Sequence, residues 1–204
     1  MQEFANSPSL RNGIFDLLSS VKLATDVNVK LLDYKFDIDG LKDALDHTLT
    51  LTGWEPHHSQ IALTHLPGSD DVWFEGTGSL HYKFGTQNFD ENGELIKRET
   101  HLDTSEFTEF NSALDDTYLR VVYDTIKADY KLGRVRLMAL PHKKCMSIHR
   151  DAQPRIHVPI ITNKNCRMMI DGNVYHLKAD GSAYWTNTLK PHTAFNADHS
   201  ELRI

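Results

Sequence analysis

The last third of the chain, residues 134–204, is the feature that most constrains the fold. Short segments in which apolar and polar residues alternate recur there at intervals of roughly ten residues, with turn sequences between them. The clearest turn, Asp171-Gly172-Asn173, lies between two such segments and predicts a hairpin. About seven or eight short strands at this spacing are typical of a double-sheet jelly roll or a barrel. The predicted fold is therefore mainly β, with helices from the first half flanking it.

Three residues in this region are candidate metal ligands. His149 and Asp151 are two positions apart, so on an extended strand both side chains lie on the same side. His192 opens a later predicted strand over residues 192–196 and is the third candidate. Two histidines and one carboxylate from separate strands form the facial triad of non-haem Fe(II) oxygenases, which makes these three residues the predicted catalytic set. The alternative is a solvated polar strand end, with a loop histidine at position 192.

Three further residues are candidates for binding an anionic ligand. Arg155 and His157 share one face of the next predicted strand, whose other face is apolar, so the polar face is expected to line a cavity. Arg203 belongs to the last predicted strand, and a buried guanidinium there could bind a carboxylate through two hydrogen bonds. The alternatives are a surface ion pair of Arg203 with Asp198 or Glu201, and a solvent-facing strand edge for the other two residues.

At these positions the sequence resembles the aspartyl/asparaginyl β-hydroxylase family of Fe(II)- and 2-oxoglutarate-dependent oxygenases. The resemblance is strong over about residues 133–204 and weak before them. Its specificity comes from the combination of an H-x-D motif, an R-x-H-x-P motif, a distal histidine and an arginine eleven residues later. The residues that carry it are Gly133-Arg134-Val135-Arg136-Leu137-Met138, His149-Arg150-Asp151, Arg155-Ile156-His157-Val158-Pro159, Gly181, Trp185, Asn187, His192, Asn196 and Arg203.

The resemblance implies a double-stranded β-helix, a cupin-like jelly roll, that holds iron and 2-oxoglutarate. Iron would be bound by the candidate triad, and Arg203 would bind the distal carboxylate of 2-oxoglutarate. Arg155 and His157 would line the pocket for this cosubstrate. Some members of the family lack the carboxylate ligand, whereas this chain keeps Asp151.

The resemblance also implies a reaction. A dioxygenase of this kind uses dioxygen and 2-oxoglutarate to hydroxylate an amino-acid side chain, either an aspartyl or asparaginyl residue or a free amino acid, and releases succinate and CO₂. Two alternatives remain at this point. One is a non-catalytic cupin-like module that binds a metal or a small molecule. The other is a cupin enzyme that uses another metal and does not need 2-oxoglutarate.

The chain is predicted to be a single oxygenase domain over residues 1–204. In this interpretation residues 133–204 form the β core that binds the metal and the cosubstrate. Residues 1–132 support that core and determine the specificity for the substrate. Apolar residues at helical spacing in this first part predict three helices, over residues 9–23, 40–51 and 105–131. The longest should begin at a capping box of Asp103 and Glu106, with Gly133 following it as the C-terminal stop.

Composition excludes several classes of partner. The net charge is −6 and no basic stripe is present, so nucleic acid is not an expected partner. No apolar run approaches the roughly 18 residues of a membrane span. Two cysteines, Cys145 and Cys166, do not make a disulfide framework, and both are expected to be buried thiols of a cytoplasmic protein. The expected ligands are therefore an amino-acid substrate, free or peptidyl, and dioxygen.

Overall fold

The computed structural model describes residues 27–53, 60–78, 92 and 102–204. Within these ranges the fold is mainly β, with two α-helices, as the sequence predicts. None of the helices there is both long and apolar enough to cross a membrane. The predicted helix over residues 9–23 lies outside the described residues. The elements are β1 (Val29–Lys35), α1 (Ile38–Thr52), β2 (Gln60–Ala62), β3 (Thr64–His65), β4 (Glu109–Phe110), α2 (Tyr118–Asp129), β5 (Arg136–Met138), β6 (Lys144–Cys145), β7 (Arg155–His157), β8 (Cys166–Ile170), β9 (Asn173–Tyr175), β10 (Ser182–Thr186) and β11 (His192–Asn196).

The strands pair antiparallel in two larger and two smaller sheets. One larger sheet has the order β1-β10-β7, and the other has the order β6-β11-β8-β9. The smaller sheets pair β2 with β5 and β3 with β4. The predicted hairpin is confirmed, because β8 and β9 pair on either side of Asp171 and Gly172, which both have positive φ. The predicted strand over residues 192–196 coincides with β11.

Both helices bury their apolar faces in the same core as strands from the second half. Leu41 and Leu45 lie four residues apart on α1, and each is only 1% exposed. Val122 and Ile126 have the same spacing on α2 and belong to the same buried cluster. That cluster also contains Ala183 of β10, the central strand of the sheet β1-β10-β7. The helices therefore pack against this sheet.

The long helix predicted over residues 105–131 is wrong. Only α2, at its end, is α-helical, and the preceding residues form two 3₁₀ turns with β4 between them. The capping box of Asp103 and Glu106 does form, but it begins a single 3₁₀ turn. Asn111 then accepts a hydrogen bond from the backbone N–H of Ala113, and such a side-chain cap begins a new turn in place of a continuous helix. The apolar spacing arises because two separate residues are fully buried: Phe107, which follows the first 3₁₀ turn, and Leu114, in the second.

Gly133 is not the end of a helix either. α2 ends at Asp129 and is capped by Tyr130, whose N–H still donates to the carbonyl of Ile126. Gly133 instead lies against the first 3₁₀ turn, where an added Cβ would come within 2.2 Å of the carbonyl oxygen of Thr104. The N–H of the next residue, Arg134, donates to the same oxygen at 2.8 Å. The glycine is therefore required for a close approach that positions the segment leading into β5.

The prediction of two buried thiols is half confirmed. Cys166 is buried on the inner face of β8, as the alternation along that strand requires. Cys145 is exposed, because it lies on β6 at the edge of its sheet. Both are free thiols.

Candidate functional site

The three residues expected as metal ligands lie together. One ligand atom from each of His149, Asp151 and His192 falls within 4.8 Å of the others. The two histidines lie opposite each other in an isolated antiparallel bridge, in which each N–H donates to the carbonyl of the other, at 3.0 and 2.9 Å. The expected strand around His149 is reduced to this bridge. Asp151 is positioned by a backbone hydrogen bond, in which its N–H donates to the carbonyl of Thr188 at 2.8 Å.

Both histidine rings are oriented by a backbone carbonyl two residues earlier. Nδ1 of His149 lies 2.7 Å from the carbonyl oxygen of Ser147, and Nδ1 of His192 lies 3.0 Å from that of Lys190. A carbonyl only accepts, so each Nδ1 carries a proton, and the tautomer this selects for a neutral ring leaves the lone pair on Nε2. The Nε2 atoms lie 4.0 Å and 3.7 Å from the carboxylate of Asp151. Three electron-pair donors that face one another in this way fit a bound cation.

The charge states around the cluster also suit metal binding. Burial alone would raise the pKa of Asp151, but the hydrogen bond and the positive charge of Arg155 lower it below its usual range. That hydrogen bond joins Nε of Arg155 to Oδ2 at 2.9 Å. Burial lowers the pKa of His192, although its bond to the carbonyl of Lys190 acts in the opposite direction. The carboxylate is therefore ionised and this imidazole neutral, as metal ligands must be.

Arg155 and His157 lie on β7, in the other larger sheet, and both face the cluster. Burial lowers the pKa of His157 to about 3, and the positive charges of Arg203 and Arg155 add to the effect. The ring is therefore neutral. Its Nε2 is buried and has no hydrogen-bond partner within the described part of the chain. A buried ring nitrogen without a partner is rare, which indicates that a ligand atom belongs next to it.

Arg203 is half-buried, and its positive charge is close enough to His157 to lower the pKa of that imidazole. Burial lowers the pKa of Arg203 itself. Its backbone is fixed by reciprocal hydrogen bonds with Leu140, at 2.8 and 3.1 Å. Across the described ranges its guanidinium forms no ion pair. The surface pair with Asp198 is wrong, because that carboxylate accepts from Ser200, Glu201 and Asn165 instead.

The sequence interpretation gave no role to two other arginines at the site. Arg136 begins β5 and Arg134 lies two residues before it, and both are close enough to Arg155 and Asp151 to feel their charges. Burial lowers the pKa of both, and the positive charge of Arg155 adds to the effect. The alternation Arg134-Val135-Arg136 could have identified them from the sequence, because it places both arginine side chains on one face of a strand.

Comparison with known proteins identifies the family. The family model described as aspartyl/asparaginyl beta-hydroxylase matches residues 100–204, more than half of the 204-residue chain. The chain belongs to this family. The matched segment contains the ligand cluster, the site residues Arg134, Arg136, Arg155 and Arg203, and all strands from β4 to β11. A comparison with curated proteins gives no match.

Proposed function

We propose that the protein is an Fe(II)- and 2-oxoglutarate-dependent dioxygenase that hydroxylates an amino-acid side chain. The observation that carries this proposal is the cluster of His149, Asp151 and His192. Its two imidazole nitrogens and its carboxylate face one another, and the outer ring nitrogens are already bonded to the backbone. Membership of a hydroxylase family supports the same reaction.

The donor set fits iron. His149 and His192 would bind it through Nε2, and Asp151 through a carboxylate oxygen, which leaves positions open for other ligands. A bound Fe(II) would supply the activation of dioxygen that couples the decarboxylation of 2-oxoglutarate to hydroxylation. The protein itself orients the ligands: two backbone carbonyls fix the rings, and Arg155 fixes the carboxylate at 2.9 Å.

The cosubstrate would occupy the space between the cluster and the C-terminal residues. Arg203 would bind the distal carboxylate of 2-oxoglutarate, because its guanidinium is partly desolvated and forms no ion pair in the described part of the chain. His157 would contact the same molecule through Nε2, the atom that has no protein partner in those ranges. Arg155 completes the lining on the side of Asp151.

The architecture supports a double-stranded β-helix as the fold around this site. β7 belongs to one larger sheet and β11 to the other. β11 supplies His192 of the cluster, and β7 supplies Arg155, which donates to Asp151 of the cluster. A jelly roll brings two sheets together in this way. In this proposal residues 1–204 form one oxygenase domain, and its first 132 residues contribute the specificity for the substrate.

The decisive experiment is an anaerobic titration with Fe(II) and 2-oxoglutarate, followed by visible absorption. Chelation of the metal by the keto and carboxylate oxygens of 2-oxoglutarate gives a metal-to-ligand charge-transfer band. The wild-type protein should show the band. His192→Ala should abolish it, whereas His199→Ala, which changes an exposed histidine outside the cluster, should retain it. A folded wild-type protein without the band would refute the proposal and would favour another metal or a non-catalytic module.

A further inference from the structure

The loop between β10 and β11, residues 187–191, holds two of the three ligands of the candidate cluster. The carbonyl of Thr188 accepts a hydrogen bond from the backbone N–H of Asp151 at 2.8 Å. The carbonyl of Lys190 lies 3.0 Å from Nδ1 of His192 and selects the tautomer that leaves the lone pair on Nε2. A shift of this loop would therefore move a carboxylate ligand and an imidazole ligand together.

The side chain of Lys190 anchors the end of the loop next to His192. Its Nζ donates to Oδ1 of Asn28 at 2.9 Å and to Oδ2 of Asp171 at 3.2 Å. The side chain of Lys190 is only 24% exposed, whereas that of Asp171 is 53% exposed. Because a solvent-exposed ion pair contributes little, the contact with Asn28 should fix the lysine more firmly than the contact with Asp171.

Asn28 ties both ends of the loop to β8 and β9. Its Nδ2 donates to the carbonyl of Ile170 at 3.2 Å and to the hydroxyl of Tyr175 at 3.1 Å. Its backbone carbonyl accepts from the N–H of Asn187, the first residue of the loop, at 2.8 Å. Its Oδ1 accepts from Lys190 near the other end. One asparagine therefore sets the position of the whole loop relative to these strands.

Apolar packing does not fix the end of the loop that carries the lysine. Leu189, which precedes Lys190, is 40% exposed. Polar contacts hold this end instead: those of the Lys190 ammonium, and a hydrogen bond from the N–H of Asp171 to the carbonyl of Pro191 at 2.9 Å. The orientation of the Lys190 carbonyl, and with it the tautomer of the distal ligand, therefore depends on these hydrogen bonds.

From this geometry we infer that Lys190 and Asn28 are positioning residues of the metal site. Neither belongs to the ligand cluster. They hold the carbonyl that keeps the proton of His192 on Nδ1, so that Nε2 stays free for a cation. The inference deepens the proposed function, on which it rests. It also gives the first part of the chain a role in the metal site, since Asn28 lies outside the matched segment, residues 100–204.

The first test reads the tautomer of His192 in the metal-free protein. Long-range ¹H–¹⁵N spectra of histidine-labelled protein distinguish Nδ1–H from Nε2–H at pH 8, well above the ordinary pKa of histidine. In wild type His192 should carry its proton on Nδ1. In Lys190→Met, which removes the ammonium and keeps a side chain of similar length, a large fraction of His192 should carry it on Nε2. His149, whose carbonyl partner Ser147 lies outside the loop, should keep its tautomer in both proteins.

The second test measures the affinity for Mn(II), from the electron paramagnetic resonance signal of the free ion. Lys190→Met should weaken Mn(II) binding about tenfold, the lower end of the range for losing a group that orients a metal ligand. Lys190→Arg can donate to the same two acceptors and should recover most of the affinity. Asn28→Ala should also weaken binding, and it serves as the second variant if Lys190→Met does not fold. In the double variant the loss should be smaller than the product of the single losses, because both act through one contact.

Lys35→Met is the matched control. Nζ of Lys35 also contacts a carboxylate and a side-chain hydroxyl, those of Asp180 at 3.3 Å and Ser182 at 3.3 Å. This lysine lies at the end of β1 that is farther from Asn28. Its removal should leave the tautomer of His192 and the affinity for Mn(II) unchanged.

Two results would overturn the inference. One is a folded Lys190→Met protein in which His192 keeps the wild-type tautomer. The other is a loss of Mn(II) affinity that Lys190→Arg does not recover or that Lys35→Met reproduces, which would indicate a general loss of stability. A wild-type protein that binds no Mn(II) would instead contradict the proposed function, and the tautomer of His192 would still decide the role of Lys190.

Discussion

Acidification should destabilise the protein through His157, by an amount that follows from its burial. The pKa of this imidazole is lowered from 6.5 to about 3 in the folded protein, while the unfolded chain keeps the ordinary value. Between these two values the unfolded state binds one more proton than the folded state. The stability that depends on a neutral His157 is therefore fully present above pH 6.5 and is lost as the pH falls below that value. Each pH unit below 6.5 lowers the free energy of unfolding by up to about 1.4 kcal/mol, which adds up to about 2 kcal/mol at pH 5.

The assay is urea unfolding of the metal-free protein at pH 7 and pH 5, for wild type and for His157→Gln. Glutamine does not titrate, so the variant should lose about 2 kcal/mol less than wild type between the two pH values. Other groups, such as His192, titrate in both proteins and cancel in the comparison. An equal loss in both proteins would show that His157 is accessible to protons and that the pocket around it is not closed as described.

Two other predictions concern the turn before β10 and the cosubstrate. Gly181 has φ of +83° and an added Cβ would come within 2.0 Å of the carbonyl oxygen of Phe36, so Gly181→Ala should cost well over about 2 kcal/mol of unfolding free energy. Gly172→Ala, at φ of +76° with open space around it, is the matched control and should cost only about 1–2 kcal/mol; equal costs would contradict the close approach. Arg203→Ala should weaken 2-oxoglutarate at least about tenfold, measured by titration of the charge-transfer band, and leave iron affinity nearly unchanged. An equal loss of iron affinity would make Arg203 structural.

The candidate cluster was predictable because each ligand belongs to a local pattern. The i, i+2 spacing of His149 and Asp151 and the strand that begins at His192 are visible in the sequence, and the fold brings them together. What the pattern could not show was how the rings are oriented. The ring orientation depends on the backbone carbonyls of Ser147 and Lys190. Because every residue has a backbone carbonyl, no residue type in the sequence indicates this orientation.

The errors have physical causes as well. Apolar spacing over residues 105–131 predicted one helix, but Asn111 caps a separate turn and Phe110 pairs in β4, so tertiary contacts divide the segment. The pair Arg134 and Arg136 was read only as part of a motif. Its place beside the cluster depends on β5 lying close to the residues of β7, and no local pattern in the sequence reveals which strands become neighbours.

The most direct test of the central claim is a crystal structure of the protein with Mn(II) and 2-oxoglutarate, with anomalous data collected at the manganese edge. The account predicts one strong anomalous peak about 2.0–2.3 Å from Nε2 of His149, Nε2 of His192 and a carboxylate oxygen of Asp151. A peak elsewhere, or coordination through Nδ1 of either histidine, would contradict it.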